Sequence, residues 1–131
     1  MVLVLRALLF IGGLFFVMIG IGFLFDPVGS GAGFGLTSDG AQGLATMRAD
    51  MTAFFVVAGG CMIWGGWARK GDPLLVSAAL MAIAIIGRIV GLVQDGAWDG
   101  FWSPMVVEAI VLTLSLIASR VLPHTALTGD N

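Results

Sequence analysis

Four ionisable side chains lie within or at the edge of long apolar stretches of this chain: Arg48, Asp50, Arg88 and Glu108. An arginine binds a carboxylate, an anionic headgroup or a carbonyl through charge-assisted hydrogen bonds, and a partly buried glutamate can exchange protons. Ionised groups in apolar surroundings are costly, and in membrane helices they mark ligand, proton or ion paths by default. These four residues are therefore the first candidates for a functional site.

Helical spacing places further residues beside them. Arg88, Gly91 and Asp95 are three and four residues apart and would share one face of a helix. Glu108 and Ser115 would share a face of the next helix in the same way. At about 1.5 Å per residue, Arg88 lies roughly 10 Å and Glu108 roughly 6 Å from the same end of their helices. The spacing predicts one polar cluster at one depth.

The simplest arrangement of the cluster pairs Arg88 with Glu108, and Arg48 with Asp50 or Glu108, so that the formal charges cancel. One interpretation is structural: the ions neutralise one another and fix the register of the helices. The other is functional: the cluster binds a ligand or carries protons or ions. We favour the functional interpretation, with Arg48, Asp50, Arg88, Asp95 and Glu108 as the site.

The elements that position these residues are strongly apolar. Hydrophobic residues make up 59% of the 131 residues and charged residues 11%, with a mean hydropathy of +1.06. Soluble chains carry roughly a quarter charged residues. Hydrocarbon cannot hydrogen-bond backbone amides, and these apolar runs are too continuous for the alternating strands of a membrane barrel. The composition predicts an all-α integral membrane protein.

Four apolar runs are long enough to cross a bilayer. The predicted spans are residues 7–25, 47–68, 73–94 and 104–122. Asp26-Pro27 ends the first span, and a turn containing Arg69-Lys70 separates the second from the third. We expect a single transmembrane domain folded as a four-helix bundle.

The charged residues outside the cluster predict the orientation. Four crossings place Arg6, Arg69, Lys70 and Arg120 on one side and Asp26, Asp39, Asp95 and Asp99 on the other. The positive-inside bias puts the basic side, with both termini, in the cytoplasm. The polar cluster then faces outward.

Two glycines of the third span, Gly87 and Gly91, form a G-x-x-x-G step that predicts close helix packing. The glycine-rich segment 29–35 lacks a surrounding βαβ unit, which argues against a nucleotide site, and we interpret it as a flexible or lipid-skimming loop. Cys61 lies within an apolar run and behaves as a small hydrophobe. His124 stands alone after the last span and is expected to be solvated.

Several functional classes have no support in the chain. A net charge of −2 without a basic cluster argues against nucleic-acid binding. We find no nucleophile arrangement, metal-ligand set or cofactor motif, so no catalytic or metal residues are assigned and an enzyme ranks last. The cofactor is unknown.

Three short motifs carry a family resemblance: ATMRA at 45–49, GRIVGL at 87–92 followed by Asp95-Gly96, and Glu108 early in the last helix. They resemble the domain of unknown function 4345, a family of small bacterial membrane proteins, over nearly the whole chain. The resemblance implies a four-helix inner-membrane fold without an established activity, and Arg48, Arg88, Asp95 and Glu108 as recurring polar positions. More loosely, the architecture is similar to DoxX-like proteins, some of which are linked to quinone-coupled redox complexes.

Three functions are compatible with these observations. The leading hypothesis is a non-enzymatic protein or accessory subunit of the bacterial inner membrane that binds a lipid, a quinone or a small amphipathic ligand at the cluster. The second is a proton- or ion-coupled transporter or channel subunit, which requires a homo-oligomer because four short helices rarely enclose a path. The third is a purely structural subunit of a larger membrane complex.

Overall fold

The computed structural model describes residues 2–124, which fold into α-helices joined by short turns. The helices are α1 (Val2–Phe25), α2 (Pro27–Ala32), α3 (Gly40–Thr46), α4 (Thr52–Ala68), α5 (Asp72–Asp95) and α6 (Trp102–Val121), and one π-helical turn (Met47–Met51) connects α3 to α4. Four helical stretches are long and apolar enough to cross a membrane: α1, the continuous stretch Gly40–Ala68, α5 and α6. The prediction of an all-α chain with four long apolar helices is confirmed.

Some helices extend beyond the spans that the sequence predicted. The first begins at Val2 instead of residue 7, and the second begins at Gly40 instead of residue 47. Arginine is a good helix former, so Arg6 does not interrupt α1. Its side chain crosses to the end of α4, where Nε donates to the Gly66 carbonyl at 2.7 Å. Arg6 therefore lies at the edge of the apolar run but within helix α1.

The closest helix pair is α1 with α4, which run antiparallel. The buried residues of α1 alternate at spacings of four and three, which is the pattern of left-handed helix packing: Leu9, Gly13, Phe16, Gly20 and Phe23. A β-carbon added at Gly59 would lie 2.5 Å from the Gly13 carbonyl oxygen, so the two backbones touch there. Thr52 adds a hydrogen bond from Oγ1 to the Gly20 carbonyl at 3.0 Å. Small residues let these two helices approach closely.

The second pair is α5 with α6, and it packs against the first mainly at one end. The buried residues of α5 all lie between Pro73 and Met81, and none lies in its second half. Ser77, which is fully buried, donates from Oγ to the Ala58 carbonyl of α4 at 2.7 Å. On α5 the buried core therefore ends at Met81, and the second half of this helix borders open space.

The end of the chain that the structure describes is tied back to the turn between α4 and α5. The Gly71 amide donates to the Pro123 carbonyl at 2.9 Å, and His124 Nδ1 lies 2.6 Å from Asp72 Oδ1. The side chain of His124 is 34% exposed, but it does not stand alone as the sequence suggested, because the turn brings a carboxylate 52 residues away to the histidine ring. The residues around His124 do not predict its contact with Asp72.

The contact predicts a pH dependence. The hydrogen bond to Asp72 raises the pKa of His124 above its ordinary value of 6.5, and the Ser119 backbone acts in the same direction. The contact should therefore stabilise the fold fully below pH 6.5 and lose that contribution as the pH rises through the raised pKa. Because His124 is the sole histidine of the chain, its ring signals in an NMR titration are unambiguous. We expect Asp72→Asn to lower the midpoint; a wild-type midpoint at or below 6.5 would contradict the contact.

Candidate functional site

A cavity of about 640 Å³ lies where the buried core ends. Residues of all four long helical stretches and two loops form its wall: Phe15, Phe16, Ile19, Phe34, Met51, Phe54, Phe55, Met81, Ala84, Gly87, Arg88, Gly91, Asp95, Trp98, Pro104, Val107 and Glu108. Most of this lining is aromatic or aliphatic. The cavity therefore suits a largely apolar molecule with few polar groups.

Phenylalanine rings build one side of the cavity. Phe55 of α4 lies at the centre, with ring centroids 5.5 Å from Phe16 and 5.5 Å from Phe34. Phe34 follows α2 and also contacts Phe23 at 5.4 Å. The glycine-rich segment was interpreted as a flexible or lipid-skimming loop, but it includes a short helix and inserts this ring into the wall. The interpretation was wrong because it weighed the glycines and overlooked the one phenylalanine among them.

Arg88 and Glu108 form the polar end of the cavity. Arg88 Nε donates to Glu108 Oε1 at 2.7 Å, as the sequence predicted for this pair. Glu108 is 6% exposed, and its second oxygen, Oε2, is buried and has no hydrogen-bond partner among residues 2–124. A guanidinium has five N–H donors, and among residues 2–124 Arg88 uses only the one on Nε. The pair thus retains both an unused acceptor and unused donors.

Gly87 and Gly91 line the cavity instead of a helix interface. A β-carbon added at Gly87 would meet nothing within 4 Å, and one at Gly91 would meet only Asp95 Oδ2 at 3.9 Å. The prediction that this G-x-x-x-G step packs against another helix of the same chain was wrong for residues 2–124, and the alternative of an oligomer seam stays a prediction. The step was a plausible packing motif, but the tight contact belongs to the glycines of α1 and α4. Here the missing side chains create volume next to Arg88.

Asp95 lies at the mouth of the cavity, on the same face of α5 as Arg88 and Gly91. It is exposed and forms no hydrogen bond or ion pair with the other described residues. Beyond it a second, more polar chamber of about 610 Å³ is lined by Trp98, Asp99 and Ser103 among others, and Arg88 borders both chambers. The arginine therefore lies where the apolar cavity meets the polar chamber.

Arg48 and Asp50 do not join the pair. Arg48 Nε donates to the Leu24 carbonyl at the end of α1, at 2.9 Å, and within residues 2–124 it forms no ion pair with Asp50 or Glu108. Both side chains are exposed and neither lines the cavity. The predicted pairing of Arg48 was wrong because an unsatisfied helix C-terminus attracts a cation as effectively as a carboxylate does.

A second buried polar atom lies deeper on the same helix as Glu108. Ser115 is 0% exposed, and its Oγ has no hydrogen-bond partner in the part of the chain that the structure describes. The sequence placed Ser115 and Glu108 on one face of the last helix, and both are buried on that face. Most buried polar groups are hydrogen-bonded, so two unpaired ones on a single face are unusual.

The cavity combines an apolar surface with three charged, hydrogen-bonding side chains. Over residues 2–124, no group of three His, Cys, Asp or Glu side chains lies close enough to hold a metal ion. The side chains that line the cavity offer hydrogen bonds through Arg88, Glu108 and Asp95, surrounded by apolar surface. Such an arrangement orients an amphipathic molecule by its polar end.

Comparisons with known proteins bear on the family alone. No curated protein matches the chain, and no solved structure does. The family model for a domain of unknown function, DUF4345, matches residues 4–119, which include both members of the ion pair and every helix up to the last turn of α6. The chain therefore belongs to the domain of unknown function 4345 family.

Proposed function

We propose that this protein binds a small amphipathic ligand or lipid in the cavity beside Arg88 and Glu108, as a non-enzymatic membrane protein or accessory subunit. We place it in the bacterial inner membrane as a four-helix bundle with both termini in the cytoplasm. Arg6 contacts the end of α4 near Arg69 and Lys70, so three basic residues cluster at one end. The cavity lies toward the other end, in the outward half of the membrane.

The observation that carries the proposal is that Glu108 lines an apolar cavity and that its Oε2 has no hydrogen-bond partner among the described residues. An unsatisfied buried oxygen costs about 1–3 kcal/mol, and more when it is charged. A ligand that donates a hydrogen bond to this carboxylate removes the cost when it binds. The polar part of the binding energy is therefore concentrated at the Glu108 carboxylate. The apolar part of the ligand packs against the aromatic wall.

The dimensions support a small ligand. A volume of about 640 Å³ falls within the range of roughly 300–1,000 Å³ that ligand pockets occupy. Two of the lining side chains are well exposed, Phe15 at 58% and Trp98 at 48%, so the cavity is open. An amphipathic molecule dissolved in the bilayer can reach the cavity between helices. The loose similarity to DoxX-like proteins makes a quinone a further candidate, whose carbonyl would accept from Arg88 without donating to Glu108.

A second function, a proton- or ion-coupled transporter subunit, is favoured by one specific observation. Glu108 Oε2 and Ser115 Oγ are two unpartnered oxygens two turns apart on one helix face, which suits a proton or cation entering the protein interior. This version requires an oligomer. A strictly monomeric particle in both detergent and lipid nanodiscs would exclude it.

Filling the cavity tests the leading function. Gly87→Leu places a side chain where nothing lies within 4 Å of an added β-carbon, so it should occupy cavity volume without distorting the helices. Gly60→Leu is the matched control, because Gly60 also has open space around it and lies outside the cavity wall. Native mass spectrometry of protein released from membranes should show a small molecule on wild type and Gly60→Leu. We expect at least a tenfold lower occupancy on Gly87→Leu.

The comparison has a clear contrary result. Equal occupancy on all three proteins would show that the bound molecule lies outside the cavity, and the proposal would fail. Bare wild-type protein, tested in several mild detergents, would count against a resident ligand in the same way.

A further inference from the structure

The cavity has an uneven charge balance that constrains its ligand. Arg88 is the single described cation that lines it, whereas Glu108 and Asp95 supply two carboxylates. The adjoining polar chamber adds Asp99 and no further described cation. Arg48, which would have supplied a second positive charge, binds the end of α1 instead. The only described cation of the site is already paired with a carboxylate.

This balance disfavours an anionic head. A carboxylate or phosphate entering the cavity would have to compete with Glu108 for Arg88, at a distance where like charges repel strongly in an apolar medium. Asp95 at the mouth adds to the repulsion. Displacing Glu108 from Arg88 would also leave a buried carboxylate without its ion partner, which is costly.

A cationic head would be attracted by Glu108 and Asp95 but would satisfy only one member of the ion pair. An ammonium could donate to Glu108 Oε2, but it would lie beside the guanidinium of Arg88. An ammonium also has no lone pair, so it cannot accept a hydrogen bond from the unused N–H groups of that arginine. The Glu108 half of the polar end would be satisfied, but the Arg88 half would keep unused donors and would repel the ammonium.

An uncharged hydroxyl matches both halves. Its O–H can donate to Glu108 while its oxygen accepts from an N–H of Arg88. The terminal torsion of a glutamate side chain is soft, so Glu108 can turn its free oxygen toward the cavity and keep its hydrogen bond to Arg88. Hydrogen bonds to ionised partners are stronger than neutral ones, so a single hydroxyl can provide both orientation and affinity.

We propose that the cavity selects an uncharged amphipath whose polar end is a hydroxyl group and whose body is apolar. This inference rests on the proposed binding function and specifies the chemistry of its ligand. The hydroxyl bridges Arg88 and Glu108, and the chain or ring system lies among Phe16, Phe54 and Phe55.

The test uses three probes with the same chain and different heads: dodecan-1-ol, dodecanoate and dodecylamine. Purified protein in nanodiscs of phosphatidylcholine is titrated with each tritiated probe at pH 8, and Gly87→Leu nanodiscs supply the background from partition into lipid. We expect the alcohol to bind at least tenfold more tightly than either charged probe. Tightest binding by the acid or the amine, lost in Gly87→Leu, would overturn the hydroxyl inference and leave the cavity as a binding site.

A charge substitution gives a second, independent readout. Glu108→Gln frees Arg88 from its carboxylate and should raise the affinity for dodecanoate relative to dodecan-1-ol by at least tenfold. Asp50→Asn is the matched control, because it removes one negative charge from an exposed position outside the cavity and should leave the order of the probes unchanged. An unchanged ratio of the dodecanoate and dodecan-1-ol affinities in Glu108→Gln would overturn the inference. Absence of cavity-dependent binding by every probe would overturn it as well, while a resident ligand seen by mass spectrometry would still support the binding function.

Discussion

Gly59→Ala is expected to lower the free energy of unfolding by about 1–3 kcal/mol, the usual cost of forcing atoms into a packed interface. The added β-carbon would lie 2.5 Å from the Gly13 carbonyl oxygen and 2.9 Å from the Phe16 β-carbon. Both are atoms of the backbone or close to it and cannot move aside cheaply. Helices α1 and α4 would have to separate, and the loss would spread along their whole contact.

Substitution of the neighbouring Gly60 shows whether the loss at Gly59 comes from the contact with α1. Alanine is the better helix former by about 1 kcal/mol, so Gly60→Ala should leave stability unchanged or increase it. An added β-carbon at Gly60 meets nothing within 4 Å. Unfolding by SDS in mixed micelles, followed by the fluorescence of the four tryptophans, measures both variants. Equal stability of the two proteins would show that the α1 and α4 backbones do not touch at Gly59.

Arg88→Leu is expected to lower the free energy of unfolding by about 3 kcal/mol, near the lower end of the cost of breaking a buried ion pair. The variant leaves the Glu108 carboxylate, whose side chain is 8% exposed, without its partner. The reciprocal variant Glu108→Leu should cost less. Arg88 is 29% exposed at its side chain, so its charge keeps some contact with the polar chamber when the carboxylate is absent.

The double variant decides whether the effect comes from the unpaired charge. Replacing both residues by leucine removes both ions, and stability should return to within about 1 kcal/mol of wild type. Arg48→Leu makes the same arginine replacement outside the pair and should cost about 1 kcal/mol, because a single hydrogen bond to the Leu24 carbonyl is lost. Strictly additive effects of Arg88→Leu and Glu108→Leu in the double variant would show that the two side chains do not interact.

The helices of this fold were predictable because each needs only its own sequence. An apolar run of sufficient length has to form a helix in hydrocarbon, whatever its neighbours are. The pairing of Arg88 with Glu108 was also predictable. Two opposite charges at similar depth on consecutive helices have few alternatives, and burial makes the pairing strongly favourable.

The sequence predictions were wrong where one side chain has two possible partners, as Arg48 does. The end of α1 offered Arg48 a carbonyl oxygen, and apolarity and spacing alone cannot rank that acceptor against Asp50. The same limit applies to the glycines. Gly59 and Gly87 occur in similar apolar runs, yet one touches a backbone and the other faces open space. Which helix face meets which is a property of the assembled chain.

His124 and Phe34 illustrate a third limit. Both lie in segments outside the predicted spans, where hydropathy gives no orientation, and both make their contacts through the ends of helices distant in sequence. His124 meets Asp72, and Phe34 meets Phe23 and Phe55. Consequently the aromatic wall of the cavity was not visible in the sequence, although its polar end was.

The division of the helices into two antiparallel pairs has a mechanical consequence. The pair α1 and α4 and the pair α5 and α6 are fastened to each other near the basic end, by Ser77 against Ala58 and by the packing around Met81. The cavity lies between the two pairs, farther along the helices than these contacts. A small change in side-chain size at these contacts would tilt one pair relative to the other. The resulting displacement would grow with distance along the helices. The width available to a guest molecule thus depends in part on residues such as Ser77 and Ala58, which do not line the cavity.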